Sequence, residues 1–399
     1  MEPDIRAITP KTLPAYQLTD ARGFSAPFER GPDDPWSNLD LDRAIGVFDA
    51  DDIVGIGRNY SLDLTAPGGL VLPVAGVSWI AVLPTHRRRG ILRSMMDRLL
   101  RDACEHEESA LILTASDAGI YGRFGYGIAT TVLGIEIERR RVEWRDRASG
   151  RVRFVSPEEA REIAPGVFER VRRERAGAVS RPDAWWEGEW WDTRDRAPRF
   201  DVVFDGDDGP EGFALYGVEG SWSEGESTKT LAVRDFVAAT PEASAGLWQF
   251  LTTVDLIRTI RDWNVPVDTE LPWMLNDPRA MKVTSRRDFV WLRPVDVRTL
   301  LASRTYAVDG RLVLEVLDDG PAAGRYELDG GPDGATCTHT DADPHLVLDA
   351  AALGMIVLGG TRPSVLTRAG RIHAPETTAP TFADVMFGTE REPAAFTWF

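Results

Sequence analysis

The chain has 399 residues, 43% hydrophobic and 27% charged, with a formal net charge of −17. That length exceeds one compact core and predicts two or three domains of ordinary globular composition. The acid excess argues against nucleic acid or an anionic membrane as the main partner, since both need a dominant basic surface, and no apolar run approaches the ~20 residues of a spanning helix.

In chain order, RAIGVFDADDIVGIGRNYSLDL reads as two strands joined by the Asp49–Asp52 turn. VAGVSWIAVL is a near-continuous apolar run, the pattern of a strand covered on both faces. PTHRRRG follows, and then a helix whose Ile91, Leu92, Met95, Met96, Leu99, Leu100 and Ala103 form one stripe opposite Arg93, Asp97, Arg98, Arg101 and Asp102. ALILTAS is another buried strand, GIYGRFGYG a glycine–aromatic turn, and TVLGIEIERR a further strand. These elements predict a first domain over 1–147.

A second unit, 148–292, opens on the amphipathic helix SPEEAREIAPGVFERVRRER with its Ser156-Pro157 start. FDVVFDGDDGPEGFALYGV, TLAVRDFVAA and PEASAGLWQFLTTVDLIRTI then repeat the element order of the first unit without its sequence. Where the first unit has IAVLPTHRRRGILRSM, the second has FVAATPEASAGLWQ, so the fold is duplicated and the arginine–glycine element is not. A third unit, 293–399, carries GRLVLEVLDD, GRYELDGG, ATCTHTDADPHLVLDAAALGMIVLGG and LTRAGRI, an α+β pattern of short strands with one or two helices.

Cys104 and Cys337 lie far apart, and His86, His106, His339, His345 and His373 are scattered. The expectation is a reduced, cytoplasmic chain with no metal site. The start, MEPDIRAITP, holds acids and prolines where a signal peptide needs an apolar core.

The chemistry is concentrated at R-R-R-G. A helix N-terminus presents unpaired N–H groups and the positive end of its dipole, so it attracts anions. Glycine lets a ligand approach the backbone closely, and arginines add charge around a phosphate. A buried strand, then Arg87-Arg88-Arg89-Gly90, then an amphipathic helix is therefore a pyrophosphate cradle. It is not a Walker loop, because G-x-x-x-x-G-K-[ST] is absent, and it is not a dinucleotide fingerprint.

The arrangement resembles the acyl-CoA cradle of the GNAT acetyltransferases, whose signature is Q/R-x-x-G-x-G/A. Arg87 and Gly90 match it, and Leu92 stands where glycine or alanine is usual. VLPTHRRRGILRSMM together with IYGRFGYGIAT resembles the enhanced intracellular survival (Eis) acetyltransferases of actinobacteria. That resemblance implies tandem GNAT folds, the second degenerate, followed by a sterol-carrier-like α+β domain. It implies acetyl transfer from acetyl-CoA to an amine of a cationic acceptor: an aminoglycoside, a polyamine or lysine. It also implies a homohexamer. The rival readings are a non-catalytic acyl-CoA or lipid binder and a protein-lysine acetyltransferase.

By the same resemblance, Ile80, Ala81 and Val82 face the thioester, and Arg88, Arg89, Gly90, Ile91, Leu92 and Arg93 hold the pyrophosphate. Tyr121 and Gly122 close over the cofactor, Tyr121 as packing rather than chemistry. Tyr126 is the general acid, and the α-carboxylate of Phe399 is the general base. The apolar ending FTWF independently suggests a buried tail. On the acceptor side, Asp20, Phe24, Phe28, Asp33, Asp34 and Trp36 pair aromatics with acids, which suits a polyamine or aminosugar with Phe24 and Trp36 as the substrate contacts; the other reading is an exposed loop of ordinary solvated acids. Trp185, Trp186, Trp190 and Trp191 are expected mostly to pack domains.

Overall fold

A computed structural model describes residues 3–25, 40–187, 198–223 and 226–399. Phe28, Asp33, Asp34, Trp36, Trp190 and Trp191 lie outside the described residues. The chain forms two compact units: Met1–Thr130 with Phe289–Thr389 and Thr397–Phe399, and Thr131–Asp288 with Glu390–Phe396.

The first unit holds a seven-stranded sheet ordered β1-β2-β3-β4-β5-β16-β6. Its strands are β1 (Asp4–Ala7), β2 (Ala44–Asp49), β3 (Asp52–Thr65), β4 (Val71–Val82), β5 (Ala110–Thr114), β6 (Gly127–Ile128) and β16 (Val290–Pro294). Helix α1 (Leu13–Phe24) lies on one side, and α2 (Ile91–Glu105) with the short α3 (Ala118–Tyr121) belongs to the other. The apolar stripe of α2 buries Ile91, Met95, Met96, Leu99 and Ala103 against Ala75 and Val77 of β4 and Leu111 and Leu113 of β5. Buried Arg43 ties the sheet to the end of α2, donating to Glu108 at 2.6 and 2.7 Å and to Asp102 at 3.0 Å.

The same unit contains a five-stranded sheet ordered β19-β18-β17-β20-β21. These strands are β17 (Gly310–Leu317), β18 (Gly324–Gly331), β19 (Gly334–His339), β20 (Leu346–Asp349) and β21 (Ile372–His373). Its helices are α8 (Val297–Ala302), α9 (Ala350–Ile356), α10 (Pro363–Arg368) and α11 (Ala379–Phe387), more than the one or two that the pattern suggested. Helix α9 meets the first sheet through glycine. A Cβ on Gly354 would stand 2.2 Å from the Leu292 carbonyl oxygen, and one on Gly127 1.9 Å from that of Ala351. Arg304 is fully buried, and desolvation pulls its guanidinium down to about 10. It donates to the carbonyls of Val357 and Phe387 at the ends of α9 and α11, which would otherwise be unpaired.

The second unit holds a sheet ordered β15-β7-β14-β13-β10-β9-β8 and a two-stranded β11-β12 ribbon. The strands are β7 (Thr131–Glu138), β8 (Arg151–Val155), β9 (Arg199–Gly206), β10 (Gly209–Glu219), β11 (Trp222–Ser223), β12 (Glu226–Ser227), β13 (Lys229–Ala238), β14 (Ile257–Pro266) and β15 (Met281–Asp288). The helices are α4 (Pro157–Glu174), α5 (Asp183–Glu187), α6 (Pro241–Thr253) and α7 (Leu271–Met274). Helix α4 starts as expected, with the Ser156 hydroxyl accepting from the Glu159 N–H. The run PEASAGLWQFLTTVDLIRTI is divided: α6 stops at Thr253, Leu256 takes a left-handed φ of 62°, and the rest enters β14.

Strand membership departs from the sequence reading. TVLGIEIE becomes β7, between β14 and β15 of the second sheet, although it directly follows first-unit segments. VWLRP, which straddles the boundary expected between the second unit (148–292) and the third (293–399), becomes β16 and fills the place between β5 and β6. Apolar patterning marks a segment as a buried strand, but it does not name the sheet that receives it.

Asp262 of β14 is buried, and burial pushes its carboxyl up to about 7 despite the N–H of Asn264 donating to it at 2.9 Å. An unfolded aspartate titrates near ~3.9. The folded chain therefore holds the proton more tightly from roughly pH 4 to 7, and stability falls as pH rises through that window. Asp262→Asn is expected to raise the melting temperature at pH 8 and much less at pH 5. Equal shifts at both pH values would remove Asp262 as the titrating group.

Candidate active site

The site begins where two parallel strands part. Strand β4 pairs with β5 at three positions, Val74↔Ala110, Ala75↔Leu111 and Gly76↔Ile112. Beyond Gly76, β4 continues along β3 to Val82, while Leu113 and Thr114 of β5 continue along β16. The edge of β4 facing the opening thus has backbone groups with no strand to receive them. A bulge deepens the fork. The β3–β4 register shifts between Ile56 and Arg58, and Trp79 takes a left-handed φ of 55°, a conformation costing roughly 1–3 kcal/mol in a non-glycine residue. Ile80, Ala81 and Val82 follow the bulge, on the free edge.

After the bulge, side chains alternate cleanly. Ile80 faces α2, since a Cβ on Gly57 would meet Ile80, Met95 and Leu99 together. Ala81 faces α1, where Gly23 approaches so closely that a Cβ would lie 2.6 Å from Ala81 Cβ.

At the mouth on the α2 side, Arg87, Arg88, Arg89 and Gly90 are all exposed. Arg88 and Gly90 both have positive φ, 63° and 80°. Gly90 is the N-cap of α2 and supplies no side-chain oxygen, and no acid lies in the first turn. The N–H groups of Ile91, Leu92 and Arg93 thus open the helix without a side-chain cap. A Cβ on Gly90 would meet nothing within 4 Å, so the backbone is open to close approach. Arg93 lies over the Phe124 ring at 6.0 Å, and Arg89 donates to the Thr85 carbonyl at 3.3 Å.

Tyr126 is buried in the cluster that α2 builds on the fork strands. Its hydroxyl is fully enclosed and has no hydrogen-bond partner among the described residues. Burial pushes its phenol well above the ordinary tyrosine range, with the Arg293 guanidinium pulling modestly the other way. Arg293 also donates to the Phe124 carbonyl and so holds the turn that presents Tyr126. Tyr121 packs edge-on against Tyr126 with ring centroids 6.1 Å apart, a packing role, and Gly122 is exposed beside it.

Phe399 meets the same fork from the other face. A Cβ on Gly76 would lie 3.2 Å from Cδ2 and Cε2 of the Phe399 ring. Gly76 points away from the face of Ala75 and Val77, so the Phe399 ring is on the α1 side and Tyr126 in the α2-side cluster. Helix α1 brings Asp20, whose carboxyl burial pushes up to about 6, and the half-exposed Phe24 to that side. The described site therefore joins Tyr126, Phe399, Ile80–Val82 and the α2 start around one fork.

The fold has known counterparts. Models of an acetyltransferase (GNAT) domain match residues 4–129 and 177–298, and a sterol carrier protein domain matches 297–395. The N-acetyltransferase Eis of Mycobacterium tuberculosis is 36% identical over 354 residues, covering 86% of this chain and 85% of its own. The chain belongs to the Eis family of N-acetyltransferases. An uncharacterized N-acetyltransferase of Streptomyces griseus is 34% identical over 410 residues, 98% of this chain and 99% of its own. The crystal structure of Eis1 from Mycobacterium abscessus superposes with a TM-score of 0.88 at 34% identity, covering 99% of this chain and 100% of that one. This Eis-family chain is thus an enzyme of two GNAT domains and a sterol-carrier-like domain, and acetyl-CoA is the acyl donor of GNAT acetyltransferases.

Its second GNAT unit repeats the fork with a different helix start. Strands β13 and β14 pair in parallel only from Lys229↔Ile257 to Ala232↔Arg261 and then part. At the start of α6, however, the Thr240 hydroxyl accepts from the Ala243 N–H at 3.1 Å and donates to the Glu211 carboxylate at 2.8 Å. That helix start is capped by its own side chain and faces an acid, so it is closed to a phosphate.

Three contributors escaped sequence reasoning: Gly76, the Trp79 bulge and Arg293. A glycine in an apolar run hints at close approach, but neither the bulge nor Arg293 carries a sequence signal. Because Tyr126 buries an unpaired hydroxyl, Tyr126→Phe is expected to leave stability unchanged or raise it by up to about 1–3 kcal/mol in thermal or denaturant unfolding. A clear loss of stability would show that the hydroxyl is bonded in the folded chain.

Proposed function

We propose that this enzyme moves acetyl from acetyl-CoA to an amine of a small cationic acceptor, with Tyr126 as general acid and the Phe399 α-carboxylate as general base. The observation that carries the reading is the fork itself, with a buried, partnerless phenol on one face and the Phe399 ring on the other. Two reactants can meet there from opposite sides.

On the α2 side, the N–H groups of Ile91 to Arg93 and the exposed Arg88 and Arg89 suit a pyrophosphate. Backbone N–H groups on the free edge at Ile80–Val82 can donate to the acetyl oxygen as negative charge develops on it. A donor so placed is typically worth ~2.7–4 kcal/mol. Tyr126 stays protonated at neutral pH because burial disfavours the phenolate. Its unspent proton can pass to the departing sulfur, and Tyr121 braces the ring.

On the α1 side, Phe24, Asp20 and the Phe399 carboxylate would receive the amine. A protonated amine suits the acidic side chain; the α-carboxylate removes a proton from it, and the nitrogen lone pair so freed attacks the thioester carbonyl. Aminoglycosides, polyamines and lysine side chains all present such amines. A thiol-release assay across these three classes identifies the acceptor.

Arg88→Ala with Arg89→Ala is expected to weaken acetyl-CoA binding about tenfold or more, with one site per chain in calorimetry of the wild type. Unchanged affinity would remove the phosphate-cradle reading. Extending the chain beyond Phe399, or deleting that residue, is expected to abolish transfer while acetyl-CoA still binds. A C-terminally extended enzyme working at the wild-type rate would exclude the carboxylate as base.

A further inference from the structure

We propose that the acceptor is an amine that also carries a carboxylate or a phosphate, and that Arg58 holds that anion. The inference rests on the reading of the fork in the first unit as the site of acetyl transfer, and it narrows the acceptor class.

Arg58 is a buried cation without an acid. It is 3% exposed. Its Nε is enclosed and has no hydrogen-bond partner, and no carboxylate pairs with it among the described residues. Asp40 acts on it only from a distance, since that exposed carboxylate accepts from the Asp42 N–H at 3.1 Å. Burial pulls the guanidinium below the ordinary arginine range. Buried Arg43, in the same unit, shows the ordinary arrangement, with Asp102 and Glu108 both accepting from it. The neighbours of Arg58 are aromatic instead. Its guanidinium carbon lies 3.7 Å from the centroid of the Tyr60 ring and 5.4 Å from that of Trp79. Stacking on a ring occupies the face of a guanidinium and leaves its in-plane N–H edges for an acceptor. Carboxylates and phosphates match such an edge with two oxygens.

The place of Arg58 in the fork points to the acceptor as the source of the anion. Asn59 faces α2, donating to the Leu99 carbonyl at 2.9 Å and to Asp102 at 2.7 Å. Arg58, Tyr60 and Leu62, which alternate with it along β3, therefore face the α1 side. A Cβ on Gly76 would lie 2.5 Å from Leu62 and 3.2 Å from the Phe399 ring, and Tyr60 is the residue opposite Gly76. The Phe399 ring thus shares one face of the sheet with Tyr60 and Arg58. Arg58 itself stands opposite Ser78, two residues before Ile80 and the free edge. Two residues of strand span ~7 Å, so an amine at the free edge has Arg58 within the length of a short chain.

The acid on the same side does not neutralise Arg58. Burial alone displaces the Asp20 carboxyl, and it does so upward, where an adjacent cation would lower it. The site therefore offers acids to the amine and a separate cation to a second group. An unpaired arginine also works against a diamine, whose far cation it repels.

The test compares three amines in a thiol-release assay with acetyl-CoA: δ-aminovalerate, aminopentyl phosphate and cadaverine, which share a five-carbon frame and differ in the far group. The wild-type enzyme is expected to show a kcat/KM at least about tenfold higher for an anion-bearing amine than for cadaverine. Whichever of the two anion-bearing amines leads separates carboxylate from phosphate. Arg58→Met is expected to erase the preference, mainly through KM for the anion-bearing amine, and to leave KM for acetyl-CoA unchanged. A folded Arg58→Met enzyme that keeps the wild-type preference overturns the proposal. So does a wild-type enzyme that favours cadaverine, whatever the variant does. Calorimetry of the same amines on enzyme saturated with CoA separates this inference from the reading beneath it. Binding of anion-bearing amines that Arg58→Met abolishes, with no thiol release from any amine, sinks acetyl transfer and keeps the anion site. Thiol release that ignores the far group sinks the anion site alone.

Discussion

The parting of β4 from β5 after three residue pairs is the constraint on which the first unit depends. A parallel sheet normally buries its strands between neighbours, and an edge left unpaired in the interior costs about as much as the hydrogen bonds forgone. The first unit accepts that cost beyond Gly76 and surrounds the opening with rigid support. Antiparallel β3 holds the far half of β4 in register to Val82, and β16 holds the far end of β5. Helix α2, fixed by its apolar stripe and by Arg43, bears on both prongs. The left-handed backbone at Trp79 is held by the pairing of β4 with β3 on either side of the bulge.

Much of this was legible in the sequence, and for identifiable reasons. R-R-R-G after an apolar run marks a helix start because the signals are local: a glycine, a charge cluster and a helical stripe. The structure places Gly90 at the N-cap and α2 from Ile91, as that pattern requires. The exchange of β7 and β16 was not legible, because strand pairing is set by long-range packing and both segments read simply as apolar strands. Nor was the role of Arg293, which lies nearly 170 residues along the chain from the turn it supports, so no short motif can contain both. Tyr126 was found through its motif, but its unpaired hydroxyl is a property of the packed cluster and needed coordinates.

The two GNAT units show how little sequence separates an uncapped helix start from one capped by its own side chain. Both have a strand leaving its parallel neighbour, and both follow it with a helix. One helix begins at Gly90, which contributes no oxygen, and the other at Thr240, which caps its own N–H groups and faces Glu211. Threonine and glycine rank close together as N-caps, so the difference between the two helix starts is one of access and charge rather than of stability: the N–H groups that Thr240 occupies with its own oxygen are left without a side-chain partner at Gly90.

The opposed faces of the fork also bear on proton traffic. The proposed acid is enclosed in the α2-side cluster, where desolvation keeps the phenol neutral. The proposed base belongs to the α1 side, on a residue that is half-buried. A phenol and a carboxylate in direct contact would share a proton and blunt both roles. With a strand edge between them, the acetyl group and the amine would be what connects the two, so proton movement is tied to the presence of both substrates. The same separation explains why the acid requires deep burial and the base does not. An acid must resist ionising at neutral pH, which low dielectric achieves, whereas a carboxylate that is to act as a base must stay charged until the amine arrives, which partial solvation preserves.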